Sequence, residues 1–261
     1  MRMDPSLPSK ELTDDQASAS ALLAAGVASG KYGTTLLRGV TGSGKTEVYL
    51  EAVAAALKSG RQALVLLPEI ALTEQFLHRV QARFGAKPAE WHSGATMTER
   101  RRIWKMVGQG QAQVVIGARS ALFLPFQNLG LIVVDEEHDT SYKQEEGVLY
   151  NARDMAVLRA SICGAQVVLA SATPSLESWA NAEAGKYTRV ELTSRFGPAV
   201  MPTMGAIDMR SEGLPSDKWV SPTLKVEVDK RLERGEQAML FINRRGYAPV
   251  TLCRACGHQI G

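Results

Sequence analysis

A glycine-rich segment that ends in a lysine and a threonine occupies residues 39–46 and reads Gly-Val-Thr-Gly-Ser-Gly-Lys-Thr. This is the GxxxxGK[ST] pattern of a P-loop, in which backbone N–H groups and the start of a helix face the phosphates of a nucleotide. We expect Lys45 to reach the β- and γ-phosphates and Thr46 to offer its hydroxyl to Mg²⁺. The pattern therefore predicts an ATP site built from Gly39, Thr41, Gly42, Ser43, Gly44, Lys45 and Thr46.

An acidic cluster, Asp135-Glu136-Glu137-His138, follows the apolar run of residues 131–134. Ligands of open α/β folds bind where buried strands end, so this cluster and the P-loop are expected at the same edge of a sheet. Asp135 is then predicted to hold Mg²⁺, and Glu136 to orient and deprotonate the attacking water. Taken alone, the cluster would be a solvated acidic turn. The P-loop favours ATP hydrolysis instead, with Lys45, Asp135 and Glu136 as the catalytic residues.

Two further polar positions have two interpretations each. Ser171 and Thr173 follow another apolar run, where their hydroxyls either sense the γ-phosphate and relay its loss or cap the helix expected after Ser175. Gln16 lies three residues after Thr13, so its amide either completes a capping box or pairs with the edge of adenine. The residues alone leave both pairs of interpretations open.

Short apolar strands alternate with amphipathic helices, the pattern of a parallel sheet covered on both faces. We therefore predict an α/β fold with a doubly wound parallel sheet. Helices are expected to begin after Thr13, Thr98 and Ser175, and near Lys45. Glycines at 60, 85, 164 and 185 fit helix ends. The predicted strands are residues 35–38, 63–67, 90–92, 114–116, 131–135 and 166–170.

Prolines and scattered glycines change the character of the chain after the last predicted strand. We predict an N-terminal extension (1–11), one large lobe (12–194), a linker (195–221) and the start of a second lobe (222–261). In the last segment the pattern predicts a helix over 222–234 and a strand over 238–242. Because one helix and one strand cannot close a core, the sequence is expected to stop partway through the second lobe.

The composition excludes several classes of protein. The 261 residues are 45% hydrophobic, which is ample for a buried core, and the net charge is only +3. Any nucleic-acid site must therefore depend on local arginine and lysine placement. No apolar stretch approaches the roughly 20 residues of a membrane span, and the first residues are too polar for a signal peptide. A cytoplasmic protein without a membrane partner is the expectation.

The order of the motifs resembles that of the PriA family, the primosomal replication-restart helicases of bacteria. The motifs that carry the resemblance are residues 39–46, 67–73, 117–120, 135–138, 171–174 and 241–247. The resemblance implies a RecA-like lobe and an ATP-dependent 3′ to 5′ DNA helicase of superfamily 2. It also implies action on single-stranded and forked DNA at stalled forks, with single-strand-binding protein and other primosome proteins as partners.

The resemblance assigns DNA contacts to residues whose local pattern is uninformative. It places Pro68, Glu69, Arg119 and Ser120 along a single-strand track. It also identifies the segment 139–152 as an aromatic-rich loop that couples DNA contact to hydrolysis, so that Tyr142 would stack on bases and Lys143 or Arg153 would meet phosphate. Without the resemblance, the arginine would be a surface residue and the tyrosine a local packing residue.

The pair Cys253 and Cys256 has the spacing of half a zinc knuckle, and a structural zinc site needs four ligands. The PriA family carries a longer cysteine-rich insertion, which implies an incomplete Zn²⁺ site here. The expected chain is then a fragment with poor activity of its own. Two alternatives stay open: a non-catalytic short form that binds DNA or a primosome protein, and a RecG-like translocase on duplex DNA.

Overall fold

The computed structural model describes residues 2–68, 71–194, 203–212, 220–241, 251–252 and 259–260. The chain divides into two compact units, Met1–Ala199 and Val200–Gly261. Within the described ranges no helix combines the length and the apolar character that a membrane crossing requires.

A seven-stranded sheet forms the centre of the first unit, and every neighbouring pair of its strands is parallel. The strands lie in the order β3-β4-β2-β5-β8-β1-β9. Their bounds are β1 Gly33–Gly39, β2 Gln62–Leu66, β3 Ala89–Trp91, β4 Val114–Gly117, β5 Leu129–Asp135, β8 Gln166–Ser171 and β9 Thr188–Leu192. A separate two-stranded hairpin joins β6 Lys143–Gln144 to β7 Tyr150–Asn151.

Six α-helices of the described residues, one before β1 and five between successive strands, cover both faces of the sheet. Leu37 packs into the core beneath the first three helices, whereas its neighbour Leu36 packs into a second core on the opposite face. Successive strand residues point to opposite faces, so strands buried on both sides are apolar throughout. The predicted doubly wound α/β fold is confirmed. The helices are α1 Asp14–Ala28, α2 Lys45–Lys58, α3 Glu74–Phe84, α4 Met97–Gly108, α5 Ala152–Cys163 and α6 Leu176–Glu183.

Several boundaries follow from local hydrogen bonding. The predicted helix starts at Thr13 and Ser175 are confirmed, because each side chain accepts a bond from the first turn of its helix. The predicted start at Thr98 is wrong by two residues. Thr96 caps α4 instead, since Glu99 three residues later completes a capping box with it.

The second unit is smaller and less packed. Its helix α7, Pro222–Glu233, follows the cap Ser221 and contains no buried residue. The predicted helix over 222–234 is thus confirmed to within one residue. The predicted strand over 238–242 is not found: residues 238–241 have no regular structure, and Ile242 lies outside the described residues. Two short antiparallel strands, β10 Thr251–Leu252 and β11 Gln259–Ile260, complete the description.

Candidate active site

The P-loop joins β1 to α2 at the carboxyl edge of the sheet, and two of its three glycines, Gly39 and Gly44, leave no room for a side chain. Gly44 has φ +83°, a left-handed conformation that glycine adopts without strain. A Cβ at this position would collide with the amide of Gln16, and a Cβ at Gly39 would collide with the hydroxyl of Ser43. The loop therefore packs closely against α1 while its backbone follows the path that phosphate binding requires.

Two polar side chains of the loop are oriented toward its interior. Lys45 is 8% exposed, and its Nζ donates to the carbonyl oxygen of Gly39 at 2.8 Å. The Oγ of Ser43 is buried and has no hydrogen-bond partner in the described part of the chain. A buried hydroxyl without a partner costs free energy unless a ligand satisfies it. These two groups fit the phosphates of a nucleotide.

Gln16 ties the start of α1 to the P-loop. Its Oε1 accepts from the backbone N–H of Thr13 at 3.1 Å, which confirms the predicted capping box. Its Nε2 donates to the carbonyl oxygen of Ser43 at 2.9 Å. The capping role and the adenine role of Gln16 are therefore compatible, because the same side-chain amide caps α1 and also borders the P-loop. Its contact with adenine stays a prediction.

Asp135 lies at the end of β5 and is held by a tyrosine. The hydroxyl of Tyr49, on α2, donates to its Oδ2 at 2.8 Å, and the backbone N–H of Glu136 donates to its Oδ1 at 3.0 Å. Burial raises the pKa of the Asp135 carboxyl, and the hydrogen bond from Tyr49 opposes this rise without cancelling it. The sequence reasoning missed Tyr49. Its position one helical turn after Lys45, facing the sheet, is the signal that could have revealed it.

Glu136 is in an unusual backbone conformation. Its φ is +47°, and it is the one non-glycine residue with positive φ in the described ranges. Strained backbone of this kind, which costs about 1–3 kcal/mol, is concentrated at functional sites. The side chain is 42% exposed, and its carboxylate lies 3.6 Å from Nδ1 of His138.

The P-loop and the acidic cluster share one cavity. Its volume is about 480 Å³. The two groups are close because only β8 separates the strand that leads into the P-loop from the strand that ends at Asp135. The lining residues are Lys10, Glu11, Gln16, Thr41, Gly42, Ser43, Gly44, Lys45, Thr46, Glu47, Arg79, Asp135 and Glu136.

The loop after β8 contacts the acidic cluster directly. The Oγ of Ser171 lies 2.7 Å from Nδ1 of His138 and accepts from the backbone N–H of Thr173 at 3.0 Å. Ser171 is fully buried, whereas Thr173 is exposed. Ser175, not Ser171, caps the following helix. Ser171 therefore contacts the acidic cluster that follows β5.

Arg153 occupies a different environment from the predicted one. Its guanidinium is 8% exposed and lies 3.5 Å from Glu137, whose side chain is completely buried. Glu137 also accepts hydrogen bonds from the backbone and hydroxyl of Ser175 and from the hydroxyl of Ser178. The predicted contact of Arg153 with DNA phosphate is contradicted, because this side chain belongs to an ion pair in the protein interior.

Tyr142 and Pro68 are also buried. The Tyr142 hydroxyl lies 3.0 Å from the carbonyl oxygen of Leu66 and 2.6 Å from that of Asp135, and the residue is 1% exposed. The predicted stacking of Tyr142 on bases is therefore wrong for this structure, since its ring packs in the core. Pro68 does not reach the surface either, which contradicts a direct contact with DNA. Glu69 lies outside the described residues.

The remaining predicted DNA contacts lie at the surface near the end of β4. Arg119 donates to the carbonyl oxygens of Ser141 and Lys143 at 3.1 and 2.9 Å, so it anchors the loop before the hairpin. Ser120 is exposed and accepts from the indole N–H of Trp91 at 3.1 Å. Lys143 is 63% exposed and pairs with Glu145 at 3.0 Å. Their contact with DNA stays a prediction.

The predicted half zinc site cannot be placed. Cys253 and Cys256 both lie outside the described residues. Within the described ranges, no three side chains of histidine, cysteine, aspartate or glutamate form a group suited to a metal ion.

This chain is similar to curated replication restart proteins. The replication restart protein PriA of Rickettsia felis is 49% identical over 225 residues, which cover 86% of this chain and 35% of that protein. PriA of Bacillus subtilis is 43% identical over 248 residues, which cover 95% of this chain and 31% of that protein. The predicted resemblance to PriA proteins is confirmed. The chain spans about a third of the length of these curated relatives.

Solved structures agree with this similarity. A structure of RecG bound to a three-way DNA junction is 28% identical, with a TM-score of 0.55, over 74% of this chain and 25% of that one. A hypothetical ATP-dependent RNA helicase from Sulfolobus tokodaii shares the fold. It is 20% identical, with a TM-score of 0.51, over 70% of this chain and 53% of that one.

The family comparison covers the elements that build the site. The sequence profile of the DEAD/DEAH box helicases matches residues 13–182, from the cap of α1 to the end of α6. The matched region contains the P-loop, the acidic cluster and the loop after β8. Since it makes up more than half of the chain, the protein belongs to the DEAD/DEAH box helicase family.

Proposed function

We propose that this chain carries the ATP-binding lobe of a PriA-type DNA helicase. The observation that carries the proposal is the single cavity in which the P-loop, Gln16, Asp135 and Glu136 meet. A P-loop and an acidic strand end in one cavity supply the two parts that phosphoryl transfer needs, positioning and charge neutralisation. The similarity to PriA proteins supports DNA as the polymer that stimulates turnover.

The chain's own residues divide the work of hydrolysis. Lys45 binds the β- and γ-phosphates once it leaves the carbonyl of Gly39. Thr46 and Asp135 offer a hydroxyl and a carboxylate, the oxygen ligands that Mg²⁺ prefers. Bound magnesium supplies neutralising charge at the phosphates. Glu136 orients the attacking water and takes its proton.

The loop after β8 is the proposed coupling element. Ser171 contacts His138, which lies 3.6 Å from Glu136. A shift of the acidic cluster on phosphate release would be transmitted through this contact to Thr173 and the start of α6. On this proposal, Ser171 and Thr173 relay the state of the nucleotide to the DNA-binding surface.

The DNA-binding surface is proposed at Arg119, Ser120 and Lys143, with single-stranded and forked DNA as substrates. The 3′ to 5′ direction, the role at stalled forks, and contacts with single-strand-binding protein and other primosome proteins rest on the PriA similarity, as does the cytoplasmic location. We further propose residues 12–194 as the first helicase lobe, 195–221 as a linker and 222–261 as the start of the second, where Cys253 and Cys256 supply part of a Zn²⁺ site.

An ATPase assay with and without single-stranded DNA tests this function. We expect turnover that single-stranded DNA stimulates and that Lys45→Ala abolishes. DNA binding without turnover in any condition would instead support a non-catalytic binding module.

A RecG-like translocase on duplex DNA is the second candidate, because the RecG structure shares the fold at 28% identity. The higher identity to PriA, 42–50% among the curated relatives, favours the first candidate. Repeating the assay with blunt duplex DNA separates the two. Stimulation by duplex alone would contradict the PriA-type proposal.

A further inference from the structure

We propose that Arg79, held by Glu47 and accompanied by Lys10, binds the base of the nucleotide. The P-loop pattern does not include these residues. The proposal rests on the proposed function, since it concerns the same cavity, and it adds a specific contact for the purine ring.

An ion bridge joins three elements at the border of the cavity. The Oε1 of Glu47 accepts from Lys10 Nζ at 2.7 Å and from Arg79 Nε at 2.7 Å, and Arg79 Nη2 lies 2.6 Å from the same oxygen. Lys10 belongs to the segment before α1, Glu47 to the first turn of α2, and Arg79 to α3. All three side chains line the nucleotide cavity.

The N-terminal segment that carries Lys10 is fixed at both ends. At one end, Thr13 and Gln16 form the capping box of α1. At the other, the carbonyl oxygen of Leu7 accepts from Arg83 at 2.9 Å, and the backbone N–H of Asp4 donates to the carbonyl oxygen of Phe84 at 2.9 Å. The segment therefore crosses from α1 to α3 and holds Lys10 beside the cavity.

The bridge of Lys10, Glu47 and Arg79 lies on the side of the cavity where the base of the nucleotide is expected. Backbone N–H groups of the P-loop bind phosphates, and the acidic cluster borders the phosphate end of the cavity. Lys10 lies three residues before Thr13, the cap of α1, and Gln16, the residue predicted to read adenine, lies in the first turn of that helix. The remaining part of a nucleotide, its ribose and base, is thus directed toward the bridge.

The cavity lacks the aromatic side chain that commonly stacks on a base. No phenylalanine, tyrosine, tryptophan or histidine is among its lining residues in the described ranges. The guanidinium of Arg79 is planar and stacks on aromatic faces, which an ammonium group does less well. Glu47 fixes this plane, because its carboxylate holds both Nε and Nη2. The side chain of Arg79 is 37% exposed and lines the cavity, so part of it is accessible to a ligand.

A second ion pair between the same two helices provides a matched control. Arg83 and Glu51 lie four residues after Arg79 and Glu47, and Arg83 Nε donates to Glu51 Oε1 at 2.8 Å. Neither residue lines the nucleotide cavity. Glu51→Ala therefore removes an equivalent link between α2 and α3, and it leaves the bond from Arg83 to Leu7 that holds the segment of Lys10.

Calorimetric titrations of the 261-residue chain with Mg-ATP, Mg-ADP and Mg-tripolyphosphate test the proposal. Arg79→Ala should weaken both nucleotides about 2- to 30-fold, the range of a cation–π contact, and leave tripolyphosphate unchanged. Arg79→Lys keeps the charge without the plane and should lose a smaller part of the affinity. Glu51→Ala should change neither nucleotide nor tripolyphosphate binding among the molecules that remain folded.

Two results would overturn the proposal. An equal loss for tripolyphosphate would make Arg79 a phosphate contact, and unchanged nucleotide affinity in Arg79→Ala would exclude any contact. If Arg79→Ala does not fold, Arg79→Lys carries the same comparison between nucleotide and tripolyphosphate. Failure of the proposed function looks different: Mg-ATP would then bind neither the unmodified chain nor any variant, or would bind Lys45→Ala as tightly as the unmodified chain.

Discussion

The nucleotide side and the predicted DNA side of the same sheet edge are built differently. On the nucleotide side, the Ser43 hydroxyl has no partner in the described part of the chain, and the Glu136 carboxylate is 42% exposed beside the cavity. On the DNA side, Arg153 and Tyr142 are buried in protein contacts, and Arg119 is bonded to two backbone carbonyls. One side keeps polar groups available to a ligand, while the other uses them to order its own loops.

The two ion pairs of these sides show the same contrast. Glu47 and Arg79 are partly exposed, so their attraction is weakened by water and Arg79 remains accessible to a ligand. Glu137 and Arg153 are buried, so removing Glu137 leaves the arginine with exposed acidic partners only, Asp154 at 2.8 Å and Glu177 at 3.8 Å. The first pair suits ligand binding, whereas the second suits the fixing of structure.

Breaking the buried pair should give the largest effect. Glu137→Ala is expected to lower the free energy of unfolding by about 3–5 kcal/mol, because Arg153 loses its buried partner and three donors from Ser175 and Ser178 lose their acceptor. Denaturant unfolding, monitored by circular dichroism, measures this difference in the free energy of unfolding.

Asp154→Ala is the control, since Asp154 is the exposed partner of the same arginine. It should cost no more than about 1 kcal/mol. A cost below about 1 kcal/mol for Glu137→Ala as well would contradict the account of Arg153 as a structural residue.

The nucleotide side could be predicted from the sequence because its parts are local. The glycines, Lys45 and Thr46 are consecutive, and Asp135 follows a run of buried apolar residues that only a central strand explains. What the pattern could not show were partners from distant segments. Tyr49 meets Asp135, and Lys10 meets Glu47, only after the strands have taken their order in the sheet.

The DNA side was predicted less well, because a motif gives residue types without their exposure. Arg153 and Tyr142 were expected to face DNA, but each found a polar partner in the interior. The edge strand β9 was missed for a related reason. Its buried residues Val190 and Leu192 alternate with exposed polar ones, unlike the continuous apolar runs that identified the central strands.

Substitutions of the exposed Lys143 and of the buried Tyr142 test which of these two neighbouring residues contacts DNA. Lys143→Ala should weaken single-stranded DNA binding a few-fold and reduce the slope of log K against log salt by about 0.7, because one phosphate contact is lost. Tyr142→Phe should leave DNA affinity unchanged and cost about 0.5–1.5 kcal/mol of stability, because only a buried hydrogen bond is lost. Fluorescence anisotropy at several salt concentrations measures the first effect, and thermal unfolding the second. The reverse pattern would place Tyr142 on the DNA and Lys143 outside it.

Breaking the partly exposed pair of Glu47 and Arg79 should have the smallest effect on stability, and this effect should depend on pH. Burial alone would raise the pKa of Glu47, but the hydrogen bonds from Lys10 and Arg79 outweigh it and lower that pKa. A lowered carboxyl pKa stabilises the folded state above the ordinary glutamate range, and this contribution is lost as the pH falls through the lowered value.

Glu47→Gln should therefore be less stable than the unmodified chain by at most about 1 kcal/mol at neutral pH, and equally stable in acid. Unfolding curves across this pH range measure the difference. A difference that grows as the pH falls would have the wrong sign for this ion bridge.

The most direct test of the central claim is calorimetric titration of Mg-ATP into this chain and into its Lys45→Ala variant. The account predicts one site per chain in the unmodified protein and no measurable binding in the variant, with both proteins showing the same circular dichroism. Equal binding by both would place the nucleotide outside the P-loop and contradict the account, and so would the absence of binding in the folded, unmodified chain.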